Sequence, residues 1–236
     1  MGGYAYDLSY SRRPVNDIID EEVDSAEHDF LVYLMGPYTA FNAKYAYDNA
    51  KVLKSPYIDD PLFDPDKHIV KQKAEYEKAL SDLCDSIRNK IKVRPFIATD
   101  VDIPTKTAVR RKGLTEDGLS VLDQSIAFAA ISDAVIFIYS MAGLNAGPGS
   151  EVGAILGEFN LRHNHHRKAK KPRERFRIFC GPEFSSGSID EIPEAYGVDV
   201  VNFDSKEAIL NQIHSFIINI ERKEREEDFP VFVPDV

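Results

Sequence analysis

The chain has 236 residues, 43% of them hydrophobic and 11% aromatic, which is enough to bury a full core and sets it apart from disordered polyelectrolytes. Its 39 acidic residues against 29 basic ones leave a formal net charge of -10, which argues against general nucleic-acid binding. Two cysteines, Cys84 and Cys180, cannot make a disulfide framework and show no zinc-ligand spacing, so a reducing cytoplasm is the expected location.

Residues Met1 to His28 are acidic, with Asp20-Glu21-Glu22-Val23-Asp24 near the end, and read as an irregular arm ahead of the fold. The first twenty carry charge where a secretory signal needs an apolar centre, and Tyr6 stands where a myristoylation motif needs Ser or Thr. The apolar runs further on are strand-sized, far short of the roughly 20 residues that cross a bilayer, so no membrane partner is expected.

Phe30 to Met35 is a continuous apolar run that stops at Gly36-Pro37, the pattern of a buried parallel strand leading into a loop. Ser55 to Asp66, rich in Pro, Asp and Tyr, reads as a loop, and Ile69 to Ile91 as an amphipathic helix. A strand over Arg94 to Ala98, a loop over Thr99 to Gly113 and a helix over Leu114 to Ile131 lead to a strand over Ala134 to Tyr139. A helix from Glu151 to about His163, strands over Arg177 to Cys180 and Val198 to Phe203, and a helix from Ser205 to about Arg225 complete the alternation. The predicted fold is α/β: one domain over residues 29–226 with an open, mainly parallel, Rossmann- or flavodoxin-like sheet, helices on both faces and an enlarged 55–92 region. The last residues, 227–236, read as an extended tail.

One carboxylate stands out. The apolar run Ala134 to Tyr139 is followed by Asn145-Ala146-Gly147-Pro148-Gly149-Ser150-Glu151-Val152-Gly153, a tight small-residue turn with Ser150 placed to cap a helix and Glu151 in its first turn. In an α/β sheet that is the carboxyl edge of a strand, where ligands bind. Taken alone, a Glu there only complements a helix dipole. Here it is paired with a second glycine-terminated strand end, Tyr33-Leu34-Met35-Gly36-Pro37-Tyr38, with Thr39 and Asn42 just beyond.

The two motifs together resemble the nucleoside 2-deoxyribosyltransferase-like family, whose members open on a strand ending Gly-Pro-Tyr or Gly-Pro-Phe. They later carry Ala-Asp, an apolar strand and Gly-x-x-x-Glu-x-Gly; here these are Ser132-Asp133 and Gly147 to Gly153. The resemblance covers about Phe30 to Phe159. It implies that Glu151 is a nucleophile attacking the anomeric carbon of a nucleoside or nucleoside 5′-monophosphate, with water or a second base as acceptor, and with no cofactor or metal. It also implies a homo-oligomer. Tyr33 or, alternatively, Tyr38 would orient the carboxylate, and Tyr33 reads equally well as a core tyrosine. Gly36, Pro37, Tyr38, Thr39, Asn42, Asn145, Gly147, Gly149 and Ser150 would contact substrate, the backbone amides of the Gly147 to Glu151 turn and the side chains of Thr39 and Asn42 being suited to a phosphate.

Two positions depart from the family. Its base-contacting Asp falls at Ser125 by strict spacing, whereas the carboxylate expected to take that catalytic role is Asp123, two residues earlier and nearly on the opposite helical face, so either the helix end differs and Asp123 reaches in or base recognition is altered. Asn145 stands where transferases place another Asp. Two rival readings follow: a NAD-cleaving effector of the Toll/interleukin-receptor-like type, and a nucleotide-binding sensor that has lost turnover. The basic run Arg162 to Arg173 reads as a solvated loop, with a phosphate-binding flap or a contact for another subunit's acidic leader as sharper alternatives. Its histidines lack the partners of a metal site.

Overall fold

The computed structural model describes residues 9–11, 13–38, 40–48, 50–113, 118–161 and 171–226. Five parallel strands form its central sheet, in the order Asp199–Asn202, Phe176–Cys180, Ala134–Tyr139, Leu31–Met35, Arg94–Phe96. Side chains alternate across it, so Tyr33, Met35, Val135, Phe137 and Tyr139 enter one core while Val32, Leu34, Ile136 and Ile138 enter the other. Helices Val15–Glu22, Val121–Ile131 and Ala146–Glu158 contribute to the first core, and Tyr76–Ile91 and Lys206–Arg225 to the second. The fold is the expected open α/β sheet, covered on both faces because both faces are apolar.

Counted along the chain, the strand order is 2-1-3-4-5, so Leu31–Met35 and Ala134–Tyr139 are neighbours whose connections leave in opposite directions. The crevice beyond their carboxyl ends is the topological switch point. Both glycine-bearing motifs end there.

Several boundaries differ from the sequence reading. The acidic leader is not irregular throughout: Val15–Glu22 is a helix whose Val15, Ile18 and Ile19 are buried. Its acidity has a partner, since the Arg94 guanidinium pairs with Asp20 at 3.2 Å and Asp29 at 2.7 Å. The helix expected from Ile69 starts only at Tyr76. Ile69–Val70 and Lys73–Ala74 instead form a hairpin across Lys71 and Gln72, both at positive φ, and Phe41–Asn42 completes a small antiparallel sheet. The expected loop over Ser55 to Asp66 contains a helical turn, Ser55–Ile58, and the loop after Thr99 holds a helix, Lys106–Lys112, started by Thr105 and closed by Gly113. The helix expected from Leu114 is Val121–Ile131, begun by Ser120. Residues 1–8, 114–117, 162–170 and the tail 227–236 lie outside the described residues, as does Thr39. Among the described residues no helix is long and apolar enough to cross a membrane.

Candidate functional site

The turn that follows Ala134–Tyr139 is held by its own polar groups. The Ser140 hydroxyl accepts the Ala142 N–H at 3.0 Å, and the Asn145 side-chain amide donates to the carbonyls of Ser140 at 2.6 Å and Gly143 at 3.2 Å. Helix Ala146–Glu158 then begins five residues earlier than expected, with Asn145 rather than Ser150 at its N-cap. The physical reason is Pro148. As the third helical residue it lacks an N–H that would have no partner in the first turn anyway, so Gly-Pro-Gly fits a helix start as readily as a turn. The Gly149 N–H closes the first turn on the Asn145 carbonyl at 3.0 Å.

Glu151 therefore sits in the second helical turn, beyond the strongest reach of the helix dipole. It is only 7% exposed, and its Oε2 is buried without a hydrogen-bond partner. Burial raises its pKa, against a lowering contribution from the Ser125 hydroxyl. Three tyrosines feel its charge. Tyr33, in mid-strand, and Tyr139, at the last residue of its strand, have phenols raised well above the ordinary value, chiefly by burial, with the Glu151 carboxylate adding to it in both. Tyr38 is raised by burial, then by Tyr33 and Glu151.

These phenols differ in how they are satisfied. Tyr38 donates to the Leu34 carbonyl at 2.7 Å. The hydroxyls of Tyr33 and Tyr139 are buried with no hydrogen-bond partner, so together with Glu151 Oε2 they make three unmatched polar atoms in one neighbourhood. Buried polar groups are nearly always paired, so three exceptions in one neighbourhood call for a reason. Tyr33 also does the packing of a core residue, stacking on Phe96 at 5.0 Å and meeting Phe128 edge-on at 5.5 Å.

The two motifs touch directly. A Cβ on Gly143 would lie 2.2 Å from Cγ of Pro37, so the absence of a side chain is what lets the second turn close over the first. At Gly36 the fit is close but more yielding, since a Cβ there would come 2.9 Å from Leu80 Cδ1, the end of a flexible side chain.

Other expected site residues separate into two groups. Asn145, Gly149 and Ser150 line a cleft of about 610 Å³ with Gly153, Tyr139 and Phe184. Helical phase puts Glu151 on the opposite side of the helix from Gly149 and Gly153, and Tyr139 is the residue common to both sides. Gly147 has open space around it in the first helical turn. Asn42 is exposed, and its side chain accepts the Lys44 N–H at 3.0 Å, which caps a local turn. Asp123 is not brought to Glu151. It lies in the first turn of its helix with its N–H bonded to Ser120, and Ser125, two residues on, is the side chain beside the carboxylate. Tyr139 was not among the expected residues. Its one sequence signal is a hydroxyl at the end of an otherwise apolar strand.

Part of the basic run is structural. The Lys171 ammonium is buried against the end of helix Val121–Ile131, donating to the Ala129 carbonyl at 2.6 Å and also to that of Ser132. Arg175 donates to the Asp133 carbonyl at 2.7 Å and pairs with Glu224. Among the described residues no group of three or more His, Cys, Asp or Glu side chains is placed to hold a metal ion.

Residues 15–233 match the model of a family described as a domain of unknown function, DUF7509. No curated protein matches the chain.

Proposed function

For this chain, which belongs to the DUF7509 family, we propose cleavage or exchange of an N-glycosidic bond, on a nucleoside or nucleoside 5′-monophosphate, with Glu151 as the reacting carboxylate. The observation that carries the reading is Glu151 Oε2, buried and unpartnered on the switch-point helix beside the two unpartnered phenols of Tyr33 and Tyr139. In the first half-reaction the ionised carboxylate bonds to the anomeric carbon as the carbon–nitrogen bond breaks, and the base leaves with the electron pair of that bond and takes its proton from solvent. In the second, water or another base takes the sugar and releases the carboxylate. The two phenols lie close enough to feel the Glu151 charge, the Tyr33 hydroxyl near those of Ser125 and Tyr38 as well, and as donors they are suited to orienting the carboxylate and steadying its charge. The raised pKa of Glu151 disfavours the ionised form, so those donors are needed for attack near neutral pH. We place the reaction in the cytoplasm and in a homo-oligomer, in keeping with two buried free thiols, Cys84 and Cys180, for the first of these.

A second reading, a nucleotide-binding sensor without turnover, is favoured by Ser125 and Asn145. Ser125 brings no carboxylic acid to protonate a leaving base, and the Asn145 amide is already committed to two carbonyls. One experiment separates the readings. Purified protein is incubated with nucleosides, 5′-nucleotides and NAD, and free bases are resolved by chromatography. Base release that disappears in folded Glu151→Gln supports the first reading, and release undiminished in that variant overturns it. Saturable binding with no release selects the sensor, and release from NAD alone selects the effector-like rival.

A further inference from the structure

The enlarged region between Leu31–Met35 and Tyr76–Ile91 contains a carboxylate that faces inward. Asp60 is only 5% exposed. One of its oxygens accepts the Leu62 N–H at 2.8 Å, and the other accepts the Tyr76 hydroxyl at 2.9 Å and the Ser140 hydroxyl. Tyr76 opens a helix, whereas Ser140 is the first residue past the Ala134–Tyr139 strand and lies 80 positions from Asp60 in sequence. An ionised carboxylate only accepts, so one side chain can satisfy donors converging from two elements without leaving an orphan. Burial raises its pKa, and the hydrogen bonds from Ser140, Leu62 and Tyr76 oppose that rise.

Ser140 passes this anchoring on. Its hydroxyl accepts the Ala142 N–H, its carbonyl accepts the Gly143 N–H at 3.2 Å and the Asn145 amide, and the Asn145 carbonyl accepts the Gly149 N–H at the start of the Glu151 helix. Packing holds this turn at Ala142, which is buried in the second core, and at the Gly143–Pro37 contact, but not at its larger side chains. Met141 and Leu144 are 46% and 47% exposed, and Gly143 offers only its backbone to Pro37. The hydrogen bonds from Ser140 and Asn145 fix the rest of its shape.

We propose that Asp60 is a positioning residue: through Ser140 and Asn145 it fixes the switch-point turn at residues 140–145, and with it the start of the helix that carries Glu151. The turn's role in catalysis rests on the N-glycosidic reading, but its dependence on Asp60 does not. The enlarged region thus acts as a brace beneath the switch point.

Hydrogen exchange of the whole chain, followed by mass spectrometry, tests this without a substrate. In Asp60→Ala the amides of Ala142, Gly143 and Gly149 should exchange roughly tenfold faster, as for loss of one buried hydrogen bond, while those of residues 32–35 and 135–138 keep their protection. Asp60→Asn, which retains an acceptor, should restore most of that protection, and the exposed Asp59→Ala should leave exchange unchanged. Should Asp60→Ala not fold, Ser140→Ala decides at Gly143 and Gly149, because it cuts the link and leaves Asp60 with two of its donors; Ala142 is not counted there, since its N–H loses the Ser140 hydroxyl directly. Unchanged exchange over residues 142–149 in the folded variant overturns the proposal, and so does equal acceleration throughout the sheet. A chain that releases no base in any assay would refute the N-glycosidic reading and leave this exchange result standing.

Discussion

Tyr33→Phe is the substitution for which the structure gives the least ordinary expectation. Tyr33 is fully buried between Phe96 and Phe128, so replacing it with Phe preserves both ring contacts and removes one atom. That atom is a hydroxyl without a partner. Leaving such a group unsatisfied costs about 1–3 kcal/mol, and deleting it returns that cost. For a chain of this length each kcal/mol corresponds to about 2–4 °C in melting temperature, so Tyr33→Phe should melt about 2–12 °C above the parent. Tyr38→Phe reverses the sign. Its hydroxyl donates to the Leu34 carbonyl at 2.7 Å, and losing that bond should cost about 0.5–1.5 kcal/mol, a fall of about 1–6 °C. Thermal melts of both variants at one pH read the contrast, and base release read in parallel should fall roughly ten- to a hundredfold for Tyr33→Phe, the equivalent of the one hydrogen bond that its hydroxyl would give the Glu151 carboxylate only once substrate is bound. If Tyr33→Phe melts as far below the parent as Tyr38→Phe does, the Tyr33 hydroxyl has a partner and the cluster of unmatched atoms around Glu151 is not a site. A stabilised variant with undiminished turnover would keep the geometry and remove Tyr33 from the chemistry.

Glu151→Gln should change the pH dependence of stability as well as the activity. Because burial raises the folded pKa above the unfolded value, the contribution of Glu151 is fully present below about pH 4.5 and is lost as pH rises through the folded pKa, so the variant should gain on the parent from pH 4.5 to 8 in urea melts. A constant difference across that range would mean that the carboxyl is solvated. Lys171 gives the opposite slope: its pKa falls to about 7 on burial, so the parent should become more stable from pH 7 to 9 while only the unfolded chain stays protonated, and Lys171→Met should lack that rise. Equal slopes would place the ammonium in water. Gly143→Ala should cost about 1–3 kcal/mol because its Cβ meets Pro37, whereas Gly147→Ala, with open space and a helical backbone, should gain up to about 1 kcal/mol; reversed signs in chemical denaturation would show that the two turns are not in contact.

The parts of this fold legible from sequence are those in which pattern and burial agree. The strands Leu31–Met35 and Ala134–Tyr139 are apolar throughout because both sheet faces are covered, and nothing in either segment competes with that. The hairpin over 69–74 was illegible because Lys71 and Gln72 hold positive φ without the Gly, Asn or Asp that announces such a turn. The leader helix was hidden by its own charge, since pairing with Arg94, 74 positions away from Asp20, is invisible to any local window. At the candidate site Gly-Pro-Gly misled by being compatible with both a turn and a helix start, which moved Glu151 from the first turn to the second. Spacing along the helix had already separated Ser125 from Asp123, and the backbone follows the spacing: Ser125 is the one beside Glu151. Residue type points to Asp123 and helical register to Ser125, and register decides. In a helix, two positions turn a side chain by about 200°, more than any side-chain rotation recovers. Asp60 was missed for the complementary reason, because in a loop rich in Asp nothing local distinguishes the one acid that turns inward. The hydroxyls of Tyr76 and Ser140, 16 and 80 positions on, do so.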